Sequence, residues 1–295
     1  MDRSTRRDFI MTGIGAAVTA PSLFAAKKAA TDWIKLGKSK VKVTRLAFGT
    51  GTKGGSVQRA LGQEAFTRLV RHAYDRGIRF FETADAYTGM PPMLATALKG
   101  IPRDSYKLMT KFRLRDAQGD IRGTIDRLRR DLNTEYLDIL LMHCVRSPKW
   151  PEEQAKLQDE LSEAQHKKII VAKGASVHGL LPLRRFPGNK WLDVALFRVN
   201  HKGTRMDTMQ QKDTDDLGDV NEVFTHVTAV HRQGTGVLGM KLAGEGQFTT
   251  REDRQAALRK AFGSGAVDAV TLGFRSPAEV DEAIENMALA LNAKA

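Results

Sequence analysis

The sequence predicts an α/β fold, a (β/α)8 TIM barrel with an N-terminal β-hairpin, on three observations. Strand-like and helix-like segments alternate along the chain, eight such units fit into about 250 residues, and several strand runs are apolar almost without interruption. Alternation argues for parallel strands, because a parallel pair needs a long crossover, usually helical. Runs such as LDILLMH (137–143) and DAVTLGF (268–274) suit strands covered on both faces. A strand count does not by itself show closure, so a doubly wound open sheet remains the structural alternative.

In order, Trp33 to Gly51 reads as a short hairpin followed by a strand over Val43–Gly49, which runs into a Gly-rich loop ending at Gly55. Helical spacing follows over Gln63–Arg76, with apolar residues at Ala65, Phe66, Leu69, Val70, Ala73 and Tyr74. Further strands are expected at Arg79–Ala84, Tyr106–Phe112, Leu137–His143, Lys168–Ser176, Asp193–Asn200, Gly236–Leu242 and Asp268–Phe274. Helices are expected at Asp120–Leu132, Glu152–His166, Val220–Arg232, Arg251–Phe262 and Pro277–Leu291.

The formal net charge of +13 could suggest a nucleic-acid partner. Lys and Arg are, however, interleaved with acids along helices, as in REDRQAALRKAF, and no recognition motif accompanies them. The single cysteine, Cys144, excludes an intramolecular disulfide and any Cys-based metal centre, and strand alternation should turn it away from the side of His143. His226 and His231, five apart on a helix, make no convincing metal pair. No metal is expected.

Ser4-Thr5-Arg6-Arg7-Asp8-Phe9 precedes a weakly apolar, Gly- and Thr-rich run to about Ala26. The pattern resembles a bacterial twin-arginine signal and is short for a membrane span. Residues 1–30 are therefore expected to be a signal segment read by the twin-arginine export machinery, with residues 31–295 forming the barrel in the periplasm. The signal is the only segment expected to meet a membrane.

Barrel enzymes place their chemistry at the C-terminal ends of the strands. There the sequence offers Glu82 and Tyr87 after the second strand, Lys111 on the third, His143 on the fourth and Ser176 on the fifth. A carboxylate, a phenol, an amine and an imidazole suit carbonyl reduction, in which hydride reaches carbon and a proton must reach oxygen. An ammonium beside a phenol eases its ionisation, and a carboxylate can hold that ammonium. Tyr87 is then the acid, Lys111 its tuner and Glu82 the anchor.

The run Gly77-Ile78-Arg79-Phe80-Phe81-Glu82-Thr83-Ala84-Asp85-Ala86-Tyr87 resembles the aldo-keto reductase signature. Met109-Thr110-Lys111, Leu140-Leu141-Met142-His143 and Gly174-Ala175-Ser176 resemble that family's lysine, histidine and nicotinamide-facing strands, and the likeness covers about nine tenths of the chain. The resemblance implies NADP or NAD as cofactor and a small-molecule carbonyl substrate, with Tyr87 donating the proton and His143 orienting the carbonyl.

It also implies cofactor contacts from Ser176, from Met240, Lys241 and Gly244 after the seventh strand, and from Gly273, Arg275 and Ser276 at the eighth. Arg275 is a candidate for a 2′-phosphate and tips the choice toward NADP. Ser276 and Glu279, with Pro277 between them, also read as a helix cap. His201, Lys202 and Arg205 are candidates for an anionic substrate group.

The chain departs from the family in having Glu82 where aspartate is usual. Val177, Leu196 and Met240 stand where asparagine, glutamine and an aromatic usually hold the nicotinamide. A second reading follows, in which an exported barrel with a degenerate nicotinamide pocket serves as a binding protein or a non-redox enzyme such as a lyase.

Overall fold

A computed structural model describes residues 27–210 and 215–293; the twin-arginine segment lies outside the described residues. Strands β1 (Trp33–Lys35) and β2 (Lys42–Thr44) pair antiparallel as the expected hairpin. Eight further strands follow: β3 (Leu46–Gly49), β4 (Phe80–Glu82), β5 (Lys107–Arg113), β6 (Leu137–Val145), β7 (Ile170–Val177), β8 (Val194–Arg198), β9 (Gly236–Met240) and β10 (Ala269–Gly273). They close in the order β10-β3-β4-β5-β6-β7-β8-β9, every pair parallel. Closure removes the open sheet as an alternative.

The helices are α1 (Ser56–Arg59), α2 (Gly62–Asp75), α3 (Met90–Leu98), α4 (Ile121–Asp131), α5 (Trp150–Glu153), α6 (Ala155–His166), α7 (Leu180–Leu183), α8 (Val220–Arg232), α9 (Arg251–Gly263) and α10 (Pro277–Leu291). None of the described helices is long and apolar enough to cross a membrane.

Three local readings need correction. The single strand expected over 43–49 is two, because the chain changes partners at Arg45, whose N–H goes to Asp32 O at 3.2 Å while its carbonyl accepts from Val270 N at 2.8 Å. Helix α3, unassigned from sequence, starts with Pro91 and Pro92 in its first turn. There a missing N–H costs nothing, so the two prolines suit a helix start. The helix expected over Glu152–His166 is broken at Gln154, whose φ of −107° and ψ of 20° separate α5 from α6.

Side-chain alternation along the strands divides the core in two. Ala47, Phe80, Met109, Ile139, Leu141, Ala172, Val194, Leu196, Leu238 and Ala269 point inward, and Leu36, Val41 and Val43 of the hairpin close the bottom beneath them. Their neighbours, among them Phe48, Phe81, Leu108, Leu140 and Phe197, pack outward against the helices. The body begins before the hairpin: Lys28 N donates to Asn292 Oδ1 at 3.0 Å, and the Ala30 carbonyl accepts from Leu46 N at 2.9 Å.

Candidate active site

Continuing the inward alternation two residues beyond each core side chain leads to the upper mouth: Phe80 to Glu82, Met109 to Lys111, Leu141 to His143, Leu196 to Arg198, Leu238 to Met240 and Ala269 to Thr271. The site is thus built on the same inner face as the core.

At its centre lies Lys111, 1% exposed. An ammonium has three protons and no lone pair, and here each proton has a taker. Lys111 Nζ donates to Glu82 Oε1, to the Thr83 carbonyl at 3.0 Å and to Tyr87 Oη at 3.3 Å. Because the phenol oxygen accepts from Lys111, its own proton is directed elsewhere. The His143 ring meets the Tyr87 ring edge-on, with centroids 5.6 Å apart at 86°. Glu82, Lys111, Tyr87 and His143 are therefore brought together as the sequence implied.

Backbone space is reserved for the phenol. A Cβ on Gly51 would sit 2.5 Å from Tyr87 Cζ and Oη, so this loop position after β3 must be glycine for the ring to lie where it does.

The electrostatics differ from the sequence reading. Lys111 was expected to ease ionisation of Tyr87, but burial, followed by the charge of Glu82, pushes the phenol well above its ordinary value. Tyr87 stays protonated at neutral pH, as a proton donor must. Burial also lowers Lys111 from the ordinary lysine value, with Glu82 opposing. His143 falls well below the ordinary imidazole value through burial, then through Lys111, His178, Arg113 and Arg146, and is neutral near pH 7.

Two cavities meet at Tyr87. A groove of about 710 Å³ runs from Glu82, Tyr87 and Leu196 past Met240 and Lys241 to Gly273, Arg275 and Glu279. A chamber of about 200 Å³ is lined by Tyr87, Lys111, His143, Ser176, His178, Arg198 and Arg205, and shares Gly51, Met240 and Lys241 with the groove. The groove has room for an elongated ligand and the chamber for a small one.

The groove was tested for fit to a nicotinamide dinucleotide. Its far end carries the N-terminus of the 15-residue α10, whose dipole favours phosphate, with Arg275, Arg254 and Lys241 along the walls. Each of these cations is held by an acid: Arg275 by Glu279 at 2.8 Å, Arg254 by Glu282 at 2.7 Å and Lys241 by Glu245 at 2.7 Å. At the near end Leu196 and Met240 offer apolar contact. The residues fit a dinucleotide whose phosphates are bound by charge and whose ring is held by packing.

Not every candidate reaches the groove. Gly273, Met240, Lys241 and Arg275 line it. Ser176 lies in the chamber, where its hydroxyl accepts from Cys144 N at 2.8 Å and faces the Met142 carbonyl at 3.4 Å. Gly244 is buried beneath Phe248, with a φ of 56° that shapes the turn rather than the lining. Ser276 Oγ caps α10 by accepting from Glu279 N at 3.3 Å. Val177, aligned with a carboxamide ligand, instead packs outward in the helix-facing core.

Two further expectations lose their basis. His201 and Lys202 were candidates for an anionic substrate group, but both lean onto Asp253, at 3.4 and 2.7 Å, leaving only Arg205 in the chamber. Cys144 was turned away by strand alternation, yet β6 shifts register between Met142 and Val145, and Cys144 has a φ of 62°. With the alternation broken there, a period of two no longer fixes the direction of its side chain.

Sequence reading missed Arg198, buried at 5%, which is paired with Asp207 at 2.6 Å, and His178, which faces Arg146 at 3.4 Å. The signal for Arg198 was present, since it lies two residues past inward-facing Leu196. It also missed the clasp at Asp85, gripped by Arg127 through two bonds of 2.9 and 3.1 Å, while Arg113 Nη2 donates to the Asp85 carbonyl at 2.7 Å. This clasp anchors the loop that carries Tyr87.

Residues 45–180 match the model of the aldo/keto reductase family. The chain is 27% identical over 124 residues to "Probable aldo-keto reductase 1" of Glycine max, covering 38% of this chain and 36% of that protein. It is 33% identical over 118 residues to L-galactose dehydrogenase of Arabidopsis thaliana, covering 37% and 36% respectively. The aligned part thus spans little more than a third of the curated relatives it matches. Among solved structures, one from Pseudomonas aeruginosa assigned to the aldo-keto reductases superposes with a TM-score of 0.72 at 19% identity, covering 90% of this chain and 98% of that one. The holo form of an aldo-keto reductase from Bacillus halodurans gives 0.67 at 18% identity, covering 89% and 91%. The structural likeness shows the fold, and the family match is confined to residues 45–180.

Proposed function

We propose, from the site geometry and that partial match, that the chain is an oxidoreductase reducing a small aldehyde or ketone, with NADPH or NADH as the hydride source and Tyr87 as the proton donor. One observation carries the reading: the buried ammonium of Lys111 is shared among Glu82, Thr83 and Tyr87 at the point where groove and chamber meet.

A nicotinamide dinucleotide lying in the groove would supply hydride to a carbonyl carbon held in the chamber. Neutral His143 offers an N–H to the carbonyl oxygen and holds it beside Tyr87. As charge develops on that oxygen, the Tyr87 O–H transfers its proton, and the remaining phenolate is stabilised by Lys111, whose bond to Tyr87 Oη is already made. Glu82 keeps Lys111 in place and balances its charge. Leu196 and Met240 exclude water from the ring end of the groove. Arg275, Arg254 and Lys241 would bind phosphates on exchanging partners with their acids.

Titration with NADPH tests the reading. Tryptophan emission should fall and cofactor emission shift to the blue with saturation; no response at millimolar cofactor would transfer the case to the non-redox reading, which the acid-matched cations of the groove would then explain. For the N-terminus we propose export by the twin-arginine route to the periplasm, motivated by Arg6-Arg7 and Phe9. Replacing both arginines by lysine should retain the protein in the cytoplasm, and unchanged fractionation would defeat this proposal.

A further inference from the structure

Glu82 has two carboxylate oxygens, and Lys111 accounts for one. The other, Oε2, accepts from Thr271 Oγ1 at 3.1 Å. Thr271 lies on β10 and Lys111 on β5, so the carboxylate is held from both sides around the barrel wall.

The reach is unusual, because β3 lies between β4 and β10. Two neighbouring strand spacings amount to roughly 9–10 Å, and a side chain from β4 can meet one from β10 only above a position on β3 that has nothing in the way. That position is Gly49, paired with Glu82 on one side and with Gly273 on the other. A Cβ there would stand 2.5 Å from Thr271 Oγ1 and 3.0 Å from Glu82 Oε2. Glu82, Gly49 and Thr271 therefore interlock: a long carboxylate spans the gap, a glycine leaves the path open and a hydroxyl receives the far oxygen.

We infer that Thr271 is a positioning residue for the reaction, holding the Glu82 carboxylate so that its other oxygen stays on Lys111, and that Gly49 exists to permit this contact. The inference rests on the reductase reading for its catalytic consequence and on the side-chain geometry alone for the contact. Without the hydroxyl, Glu82 gains rotational freedom in a buried site. Its hold on Lys111 weakens, and Lys111 loses the partner that opposes its desolvation. Lys111 then gives up its proton at lower pH.

The test compares Thr271→Val, which keeps the shape and removes the hydroxyl, with Thr271→Ser, which keeps the hydroxyl. In carbonyl reduction Thr271→Val should lower kcat about tenfold, in line with loss of one hydrogen bond to a charged group, with KM for cofactor within about twofold. The alkaline limb of the pH profile should move to lower pH, and Thr271→Ser should restore both. A merely structural threonine would change thermal stability and leave the alkaline limb in place, which overturns the inference. Independently of turnover, the melting temperatures of Thr271→Val, Glu82→Leu, which has no acceptor for the hydroxyl, and the double variant form a cycle. Coupling is expected, with the valine substitution costing less once the carboxylate is gone, and strict additivity would overturn the contact itself. If the unsubstituted protein reduces no carbonyl, the reductase reading fails and this cycle alone decides the contact.

Discussion

The β4–β6 side of the mouth and the β8–β10 side are built differently. On the first, Glu82, Lys111 and His143 stand on strand ends, and Glu82 and Lys111 are almost fully enclosed. Each group has a partner chosen by the barrel. On the second, the binding groups stand in loops and at a helix start, and Arg275 is 71% exposed with Glu279 as its partner. The difference teaches that the half carrying Glu82, Lys111 and Tyr87 is preorganised by the core, whereas the groove end at α10 keeps Arg275 in an exposed, exchangeable pair.

Removing the phenol hydroxyl should have the largest effect. Tyr87→Phe is expected to lower turnover by about 10²–10⁴-fold, the range of general acid catalysis, with NADPH affinity within about twofold. If affinity fell as far as turnover, the two halves would not be separable and the comparison would break.

The pH dependence sharpens it next. His143 is shifted downward and so stays neutral through the physiological range, while Tyr87 is shifted upward and stays protonated there. Lys111, shifted downward, is the first of the two alkaline groups to lose its proton. Reduction rates should be level through neutral pH and begin to fall below the ordinary lysine value of about 10.4. A limb in kcat near pH 6.5, removed by His143→Ala, would show an imidazole titrating at its ordinary value and sink the account of a desolvated site.

The smallest effect belongs to the exposed half. Arg275→Ala should change the NADPH-to-NADH preference by no more than about fivefold, because an exposed pair contributes only about 0.2–1 kcal/mol. A hundredfold loss of NADPH preference would mean that Arg275 grips a 2′-phosphate far more strongly than an exposed pair does and that this half is less passive than its exchangeable pairs suggest.

Much of this was legible in the sequence. The alternation of elements pointed to the barrel, and the position of Glu82, Lys111 and His143 at the C-terminal ends of successive strands pointed to one mouth. The failures share a cause. Gln154 breaks a helix by backbone angles that helical periodicity does not encode, and Pro91 and Pro92 open a helix in a segment left unassigned. Cys144 defeats alternation because the strand shifts register at that point. His201 and Lys202 were drawn to Asp253, 52 and 51 positions away, a choice made by folding.

The sequence alone determined which strands face inward and which chemical groups each carries to the mouth, because alternation and burial are local properties of a covered strand. Only the tertiary structure decided which groups touch and in what protonation state: that Lys111 serves three acceptors, that Tyr87 remains a phenol and that Thr271 reaches Glu82 over Gly49. Hydrogen bonds and desolvation depend on distances of a few ångströms between staves of the barrel, and those distances are fixed only when the cylinder closes.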